Sequence, residues 1–406
     1  MTKLLMLLSV LSLAFTGCTV SNPSNGSGDN KIDTPIISNK VSGEAITFKD
    51  EFNILKFMPD DKNYMVSPFS LKMAMSLAAN GADGTTKDEI LTAFGIDNLD
   101  SYNTAAKELI ERYEGTSSVK LNVANSIWLN KDVAGKDIKF TDEYKKLVSE
   151  YYKGTASEED AKNIAMKINS WVEKKTNNKI KNLLPEGDAK FLSVLVNTIY
   201  FKGEWAEQFE EYATKEEDFT DRNGKVEKTD FMHKTERYRF YEDENMKMVR
   251  VPYKGGKTAM YLVLPTNEDK MDIATALDNM NSYKVRLSFP KFKTEYSLSF
   301  KEILKHIGIE KAFEKWEAEF DEVMFKGVKE GENVYVDDVL QKTFIEVDEN
   351  GTEAAAATAV IMNKATSIGP GMEEIKEFKA DRPFIYFIRD DVTHEVLFIG
   401  EYAFTK

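Results

Sequence analysis

Glu349-Asn-Gly-Thr-Glu-Ala-Ala-Ala-Ala-Thr-Ala-Val360 admits three conformations, and the choice among them decides the fold. Alanine has the best helix propensity, and Glu353 suits a first turn. Yet no large apolar residue precedes Val360, so a helix here has no face to bury. As a strand, the stretch puts Thr352, Ala354, Ala356, Thr358 and Val360 on one face and Glu353, Ala355, Ala357 and Ala359 on the other. The first face is small and uncharged, so it could slide between strands already in place. Pattern alone ranks helix or loop ahead of strand. A segment able to live as loop, helix or inserted strand is a switch candidate.

The 406 residues suffice for one large domain or two ordinary ones, and 42% hydrophobic with 11% aromatic residues can build a sizeable core. A formal net charge of −14 argues against a nucleic-acid partner, which needs a basic footprint. It argues equally against a polybasic membrane patch or a heparin-like cofactor. Cys18 is the single cysteine, so no intramolecular disulfide exists. His233, His306 and His394 stand far apart, and no CxxC or HExxH spacing occurs. No metal and no cofactor are therefore expected. Without a nucleophile–base constellation or a phosphate loop, the chain does not read as an enzyme.

The amino terminus reads as an address. Residues 1–17 carry Lys3 and then an apolar stretch ending in small residues, the layout of a secretory signal too short for a stable membrane span. Phe15-Thr-Gly-Cys18 resembles a bacterial lipobox, which implies cleavage before Cys18 and acylation of that cysteine. The alternative is an ordinary signal cut nearby that leaves a free thiol. Lipidation implies a protein secreted across the cytoplasmic membrane and anchored at the cell surface or in the periplasm. Loss of residues 1–17 removes Lys3 and brings the charge to −15. Residues 18–44, rich in Ser, Asn, Gly, Asp and Pro, read as a flexible tether with a coil span of roughly 25–30 Å.

From residue 45 onward no low-complexity linker interrupts the chain before the Ala-rich run. Phe69–Leu77 and Ile164–Val172 have helical apolar spacing. Leu192–Phe201 reads as a strand buried on both faces. Met248–Val251 and Ala259–Leu264 read as paired strands, and Lys284–Phe292 alternates cleanly with a terminal Pro. Phe384–Ile388 and Val396–Ile399 read as a hairpin. Helices and strands mix without a strict βαβ rhythm, so the fold class is α+β.

An ordered series of blocks across 45–406 resembles the serpin family. The blocks are Asn63-Tyr-Met-Val-Ser67-Pro68-Phe-Ser70, Gly81–Thr86, Asn169-Ser-Trp171-Val172, Thr176–Ile180, Asn197–Phe209, Pro290-Lys291-Phe292, Gln341-Lys342, Glu349–Ala354, Asp381-Arg-Pro383-Phe384 and Leu397-Phe398-Ile-Gly400. Two departures stand out: Asn178 where the family usually has Gly, and Gln341 where many members have His. The resemblance implies one domain of three β-sheets and about nine helices, with a reactive-centre loop at about 349–377. It implies that Ser67, Ser70, Asn197 and Gln341 form a polar shutter under the main sheet. Trp205 then marks the breach where insertion begins, and Lys291 with Glu349 forms a partly exposed pair near it. Glu349, Gly351, Thr352, Glu353 and Ala354, Ala355, Ala356 and Ala357 form the hinge.

The function implied is that of a suicide substrate for serine, and also cysteine, endopeptidases. A protease attacks the loop and forms an acyl-enzyme. The freed strand inserts into the sheet and drags the protease about 46 Å. Deacylation needs an aligned base, water and oxyanion hole, so distortion traps a covalent 1:1 complex. Counting from the hinge puts the reactive bond at Ala365-Thr366, which suits elastase-like pockets. Lys364-Ala365, one bond earlier, suits trypsin-like ones, and Met362 suits chymotrypsin-like enzymes. A monomer is expected. The alternative is a non-inhibitory member, acting as a binding protein or chaperone.

Overall fold

The computed structural model describes residues 32, 46–116, 118–320, 322–352 and 374–405. Its helices are α1 (Pro68–Ala79), α2 (Gly84–Ala93), α3 (Leu99–Glu114), α4 (Lys131–Ala134), α5 (Asp142–Tyr152), α6 (Ala161–Lys175), α7 (Ile273–Asn279) and α8 (Lys301–His306). A 3-10 helix at Glu51–Phe57 makes a ninth, beside three single 3-10 turns. The strands are β1 (Tyr64–Val66), β2 (Val119–Asn130), β3 (Lys139–Phe140), β4 (Thr155–Glu159), β5 (Ser193–Glu204), β6 (Lys215–Thr220), β7 (Val226–Glu242), β8 (Met246–Pro252), β9 (Thr258–Pro265), β10 (Asn281–Pro290), β11 (Phe292–Ser299), β12 (Phe325–Lys326), β13 (Asp338–Asp348), β14 (Gly351–Thr352), β15 (Ile375–Lys379), β16 (Phe384–Asp390) and β17 (Val396–Tyr402).

These strands form three sheets among the described residues. The six-stranded sheet runs β11-β13-β14-β5-β2-β4. The nine-stranded sheet runs β1-β17-β16-β9-β8-β7-β10-β15, with β6 on β7, and β12 pairs only with β3. The α+β class and the three-sheet architecture expected from the sequence are both present.

Helix α1 lies under the six-stranded sheet, between β2 and β5 on one side and β17 on the other. It is buried nearly all round, as a helix without a polar face must be. Its start is written locally. Pro68 holds Ser67 extended, and the Ser67 hydroxyl accepts the Ser70 N–H at 3.1 Å as an N-cap. Helix α6 covers the opposite face, where Ile164, Ile168 and Val172 meet Trp128, Val196 and Leu340 in a second, smaller core. Strand β5 is therefore sealed on both sides, which explains its long apolar run.

The alternating run Lys284–Phe292 ends its strand at the proline. β10 stops at Pro290 in the nine-stranded sheet, and β11 starts at Phe292 in the six-stranded one. Proline has no N–H for the ladder, so the chain turns the corner between sheets there. Asn178 has φ 62°, left-handed backbone that Asn tolerates nearly as well as the usual Gly. Ile32, inside the stretch read as tether, packs against the second core.

Candidate functional site

Two of the central strands meet in an unusual way. β13 and β5 pair in parallel from Asp338–Phe344 against Val194–Tyr200. Above that stretch β14 lies between them, antiparallel to both: Thr352 faces Val347 on one side and Gly203 on the other. The seam is thus closed through its middle and parted by two residues at its upper end. Gly351 is required at the parting, because a Cβ there would sit 2.0 Å from the Gly203 carbonyl oxygen. The helical reading of the Ala-rich stretch is overturned for these first residues, which are strand. Two antiparallel ladders satisfy their backbone, whereas a helix would leave it without a face to bury.

A polar network lies beneath the middle of the seam. Gln341 of β13 and Asn197 of β5 are register partners, and Gln341 Nε2 donates to Asn197 Oδ1 at 2.7 Å. The same nitrogen donates to the Ser67 carbonyl at 3.1 Å, while Gln341 Oε1 accepts the Ser67 N–H at 2.7 Å. Asn197 Nδ2 donates to the Ser70 carbonyl at 2.9 Å, and also to Ser70 Oγ and Asn125 Oδ1. The Ser67 hydroxyl donates to the Leu397 carbonyl at 2.6 Å. All of these side chains are buried. The sequence named Ser67, Ser70, Asn197 and Gln341, and the fold brings all four together. It missed Asn125, one of three asparagines along β2, and Thr343, whose hydroxyl donates to the Met65 carbonyl at 2.6 Å. Every member of this network is neutral; the charge at the seam is the next residue, buried Lys342, whose ammonium turns to Glu295 of β11 at 2.8 Å.

The upper end is charged and aromatic. Trp205 is fully buried and stacks on Tyr253 with ring centroids 4.7 Å apart. Its indole N–H donates to the Asp348 carbonyl at 2.9 Å, and its backbone N–H to the Asn350 carbonyl at 3.0 Å. The Tyr253 hydroxyl and the Thr352 hydroxyl are 2.6 Å apart. The Asp348 carboxylate accepts the N–H groups of Asn350 and Gly351 and shapes the turn into β14. Burial nevertheless raises its pKa, against those two donors. Glu349 accepts from the Thr214 hydroxyl at 2.7 Å and pairs with Lys291 at 3.0 Å. Burial works to raise the Glu349 pKa, but Thr214 and Lys291 outweigh it and hold the carboxyl below its usual range.

The Lys291–Glu349 pair is partly exposed, as expected, but the exposure is all on one side. Lys291 keeps 38% of its side-chain surface, but Glu349 keeps only 7%. The Thr214 hydroxyl caps the carboxylate on its other oxygen. Tyr253 and Thr214 were not foreseen, since neither falls in a recognisable motif. Cys18, Glu353, Ala354, Ala355, Ala356, Ala357, Lys364, Ala365 and Thr366 lie outside the described residues. Among the described residues no cluster of three or more His, Cys, Asp or Glu is placed to hold a metal.

Comparison with known proteins agrees with this architecture. The family model described as Serpin (serine protease inhibitor) matches residues 50–403. An uncharacterized serpin-like protein of Thermococcus kodakarensis is 34% identical, over 84% of this chain and 80% of its own. The crystal structure of tengpin, a thermophilic serpin in its native state, superposes with a TM-score of 0.75 at 31% identity, covering 86% of this chain and 90% of that one. Human thyroxine-binding globulin, solved with its hormone, superposes with a TM-score of 0.74 at 23% identity, over 87% of this chain and 94% of that one, and shows the fold alone. The family consists generally of protease inhibitors rather than catalysts, and its members generally have target proteases as partners. By the family match and by the fold, the chain belongs to the serpin family.

Proposed function

We propose that this serpin is a suicide-substrate inhibitor of serine endopeptidases, with reach to cysteine endopeptidases, and that its cleaved loop inserts between β13 and β5. One observation carries the reading: β14 already lies between those strands, antiparallel to both, above a parallel seam. Parallel pairs are slightly weaker per residue than antiparallel ones. Extending β14 would replace one parallel ladder by two antiparallel ladders, which is a downhill exchange once the loop is free.

The register of β14 makes the proposal specific. Continued downward, it would set Ala354 between Ile345 and Phe201, Thr358 between Gln341 and Asn197, and Val360 between Val339 and Leu195. Ala355, Ala357 and Ala359 would face the α6 side, where the second core leaves little room. Thr358 would arrive at the amide pair that insertion must separate, with a hydroxyl to bond both halves. The ladder would end at Met362 opposite Ser193. The Ala365-Thr366 bond, or Lys364-Ala365, would then lie just past the far end of β5, carrying an acylated protease with it. A misplacement of about 1 Å can cost roughly a hundredfold in rate, so the acyl-enzyme would stall.

Incubation with elastase and trypsin, followed by denaturing electrophoresis, tests this. A covalent 1:1 adduct is expected, with elastase if Ala365 is the bait and with trypsin if Lys364 is. Cleaved fragments without adduct, and without a rise in melting temperature, would instead leave a non-inhibitory binding protein or chaperone. The secretory signal and the lipobox-like Phe15–Cys18 support secretion and anchoring through acylated Cys18. A Cys18→Ser variant should then appear in the soluble rather than the membrane fraction.

A further inference from the structure

Three rows of side chains cross β7, β10 and β15 on one face of the nine-stranded sheet. Register sets Arg239 beside Ser282, Arg237 beside Lys284 and Ile375, and Thr235 beside Arg286 and Glu377. The alternate residues Tyr238, Val285 and Leu287 point into the core, so these rows face outward. Arg237, Arg239 and Arg286 are exposed, and Lys284 is half-buried. The rows thus hold four cations and one carboxylate, with Arg286 3.9 Å from Glu377. Such a cluster is conspicuous in a chain of net charge −14.

The sheet itself has no use for this arrangement. Like charges set directly opposite each other destabilise an antiparallel pair, and Arg237 and Lys284 are set so. Elsewhere on the same sheet cations meet acids at close range. Lys379 reaches Glu217 at 2.8 Å, and Arg250, the register partner of Arg239 on β8, reaches Asp391 at 2.7 Å. The repulsion within the rows is relieved when an anionic surface lies over them. Their position says which surface. Ile375 stands nine residues after Thr366, so the expected reactive bond lies within about 30 Å of this face. An enzyme seated on that bond is the macromolecule brought to the rows, and Ile375, 45% exposed at their edge, offers it an apolar contact. At physiological ionic strength, charges more than about 8 Å apart are largely screened. The local cluster therefore outweighs the net charge of the chain at such a contact.

We propose that this face of β7, β10 and β15 is a second docking surface for the target protease, taking an acidic patch on an enzyme engaged at the loop. It rests on the inhibitory reading for its biological occupant, although its charge acts on any protease that approaches the loop. Charge matched across a contact raises the rate of encounter, so the surface sets which proteases are captured quickly. Arg237, Lys284 and Arg286 then act beside the bait residue in choosing the target.

The test compares an anionic and a cationic trypsin, which share a pocket and differ in surface charge. Each meets the full chain as wild type, as Lys284→Glu/Arg286→Glu and as the milder Lys284→Gln/Arg286→Gln. The readout is the rate at which the intact loop is lost, whether into adduct or into cleaved fragments, relative to each enzyme's rate on a small neutral peptide. At about 0.15 M salt the charge reversal should slow the anionic enzyme about tenfold and leave the cationic one no slower, and about 1 M salt should erase the difference. The neutral pair should fall between, at about threefold, and it decides the matter if the reversal fails to fold. Equal rates in wild type and variants would overturn the docking surface. Equal slowing with both enzymes would overturn it too, since that reports a disturbed loop. Loss of the loop into fragments alone, with the charge dependence intact, would sink inhibition and leave the docking surface standing.

Discussion

Strand β5 has two neighbours, and they differ. On one side β2 pairs antiparallel along nearly the whole strand, from Val119–Leu129 against Gly203–Ser193. On the other, β13 pairs in parallel over the shorter stretch Asp338–Phe344. Antiparallel pairing is the stronger per residue, and here it is also the longer. The sheet therefore has one firm seam and one weak seam on the same strand. The polar cluster reaches across both, since Asn197 bonds Asn125 over the firm seam and Gln341 over the weak one. A neutral bond there can break and be replaced without a charge ever being stranded in the interior.

The largest test of this asymmetry is Thr352→Arg. Thr352 is fully buried between the two strands. A guanidinium there must be desolvated without a partner, at a cost of several kcal/mol. Adduct formation with elastase or trypsin should vanish while loop cleavage persists. Adduct at wild-type yield would mean that the parting above the weak seam has no part in inhibition.

Gln341→Leu and Asn125→Leu come next, as a pair on opposite sides of Asn197. Gln341→Leu leaves the Ser67 N–H, the Ser67 carbonyl and Asn197 Oδ1 short of partners, so about 2–4 kcal/mol of stability should be lost. Asn125→Leu removes one acceptor on the firm side and should cost about 1–2 kcal/mol. Chemical denaturation measures both. Only Gln341→Leu should also hasten guanidinium resistance after cleavage. If both variants hasten it equally, the two seams are not distinguished by their hydrogen bonds.

Lys291→Ala probes the upper end, with about 1–2 kcal/mol expected because Lys291 is partly exposed while Glu349 is not. Its pH dependence has a definite sign. The Glu349 pKa is depressed in the folded state, so its contribution is present above the unfolded carboxyl pKa and is lost as pH falls through the folded one. Lys291→Ala should therefore lower the melting temperature at pH 7 and matter progressively less under acid conditions. A deficit that persisted undiminished in acid would assign Lys291 a packing role instead.

Much of this arrangement was legible in the amino-acid sequence. Phe69–Leu77 announced α1 through its helical apolar spacing, and Leu192–Phe201 announced a doubly covered strand through its apolar run. Gln341 and Asn197 are far apart in the chain, and the family resemblance joined them before any coordinates did. What stayed hidden was whatever depends on two distant segments closing together. The setting of Glu349 needs Thr214 and Lys291, distant in sequence, to meet its carboxylate. Stacking of Tyr253 on Trp205 needs two sheets to meet. The proline that ends β10 was legible, but the change of sheet at Pro290-Lys291 was not, because it depends on which strands receive β10 and β11. Ile32 was hidden by its company, since a few apolar residues in a polar tether leave no periodic signature.

The finest test concerns Thr358, which lies outside the described residues. Continued from β14, the register sets it opposite both Gln341 and Asn197. In the intact protein those two amides bond each other across the seam. After insertion they are a strand apart, and the Thr358 hydroxyl is the group within reach of both. Thr358→Val keeps the shape and removes the hydroxyl, so intact stability should be unchanged. The cleaved form should lose about 1 kcal/mol, seen as a smaller gain in denaturation midpoint. A one-residue slip would put Thr358 on the α6 face, because strand side chains alternate. The same substitution would then leave the cleaved form untouched, and a scan through Ala357 and Ala359 would locate the true register of the weak seam.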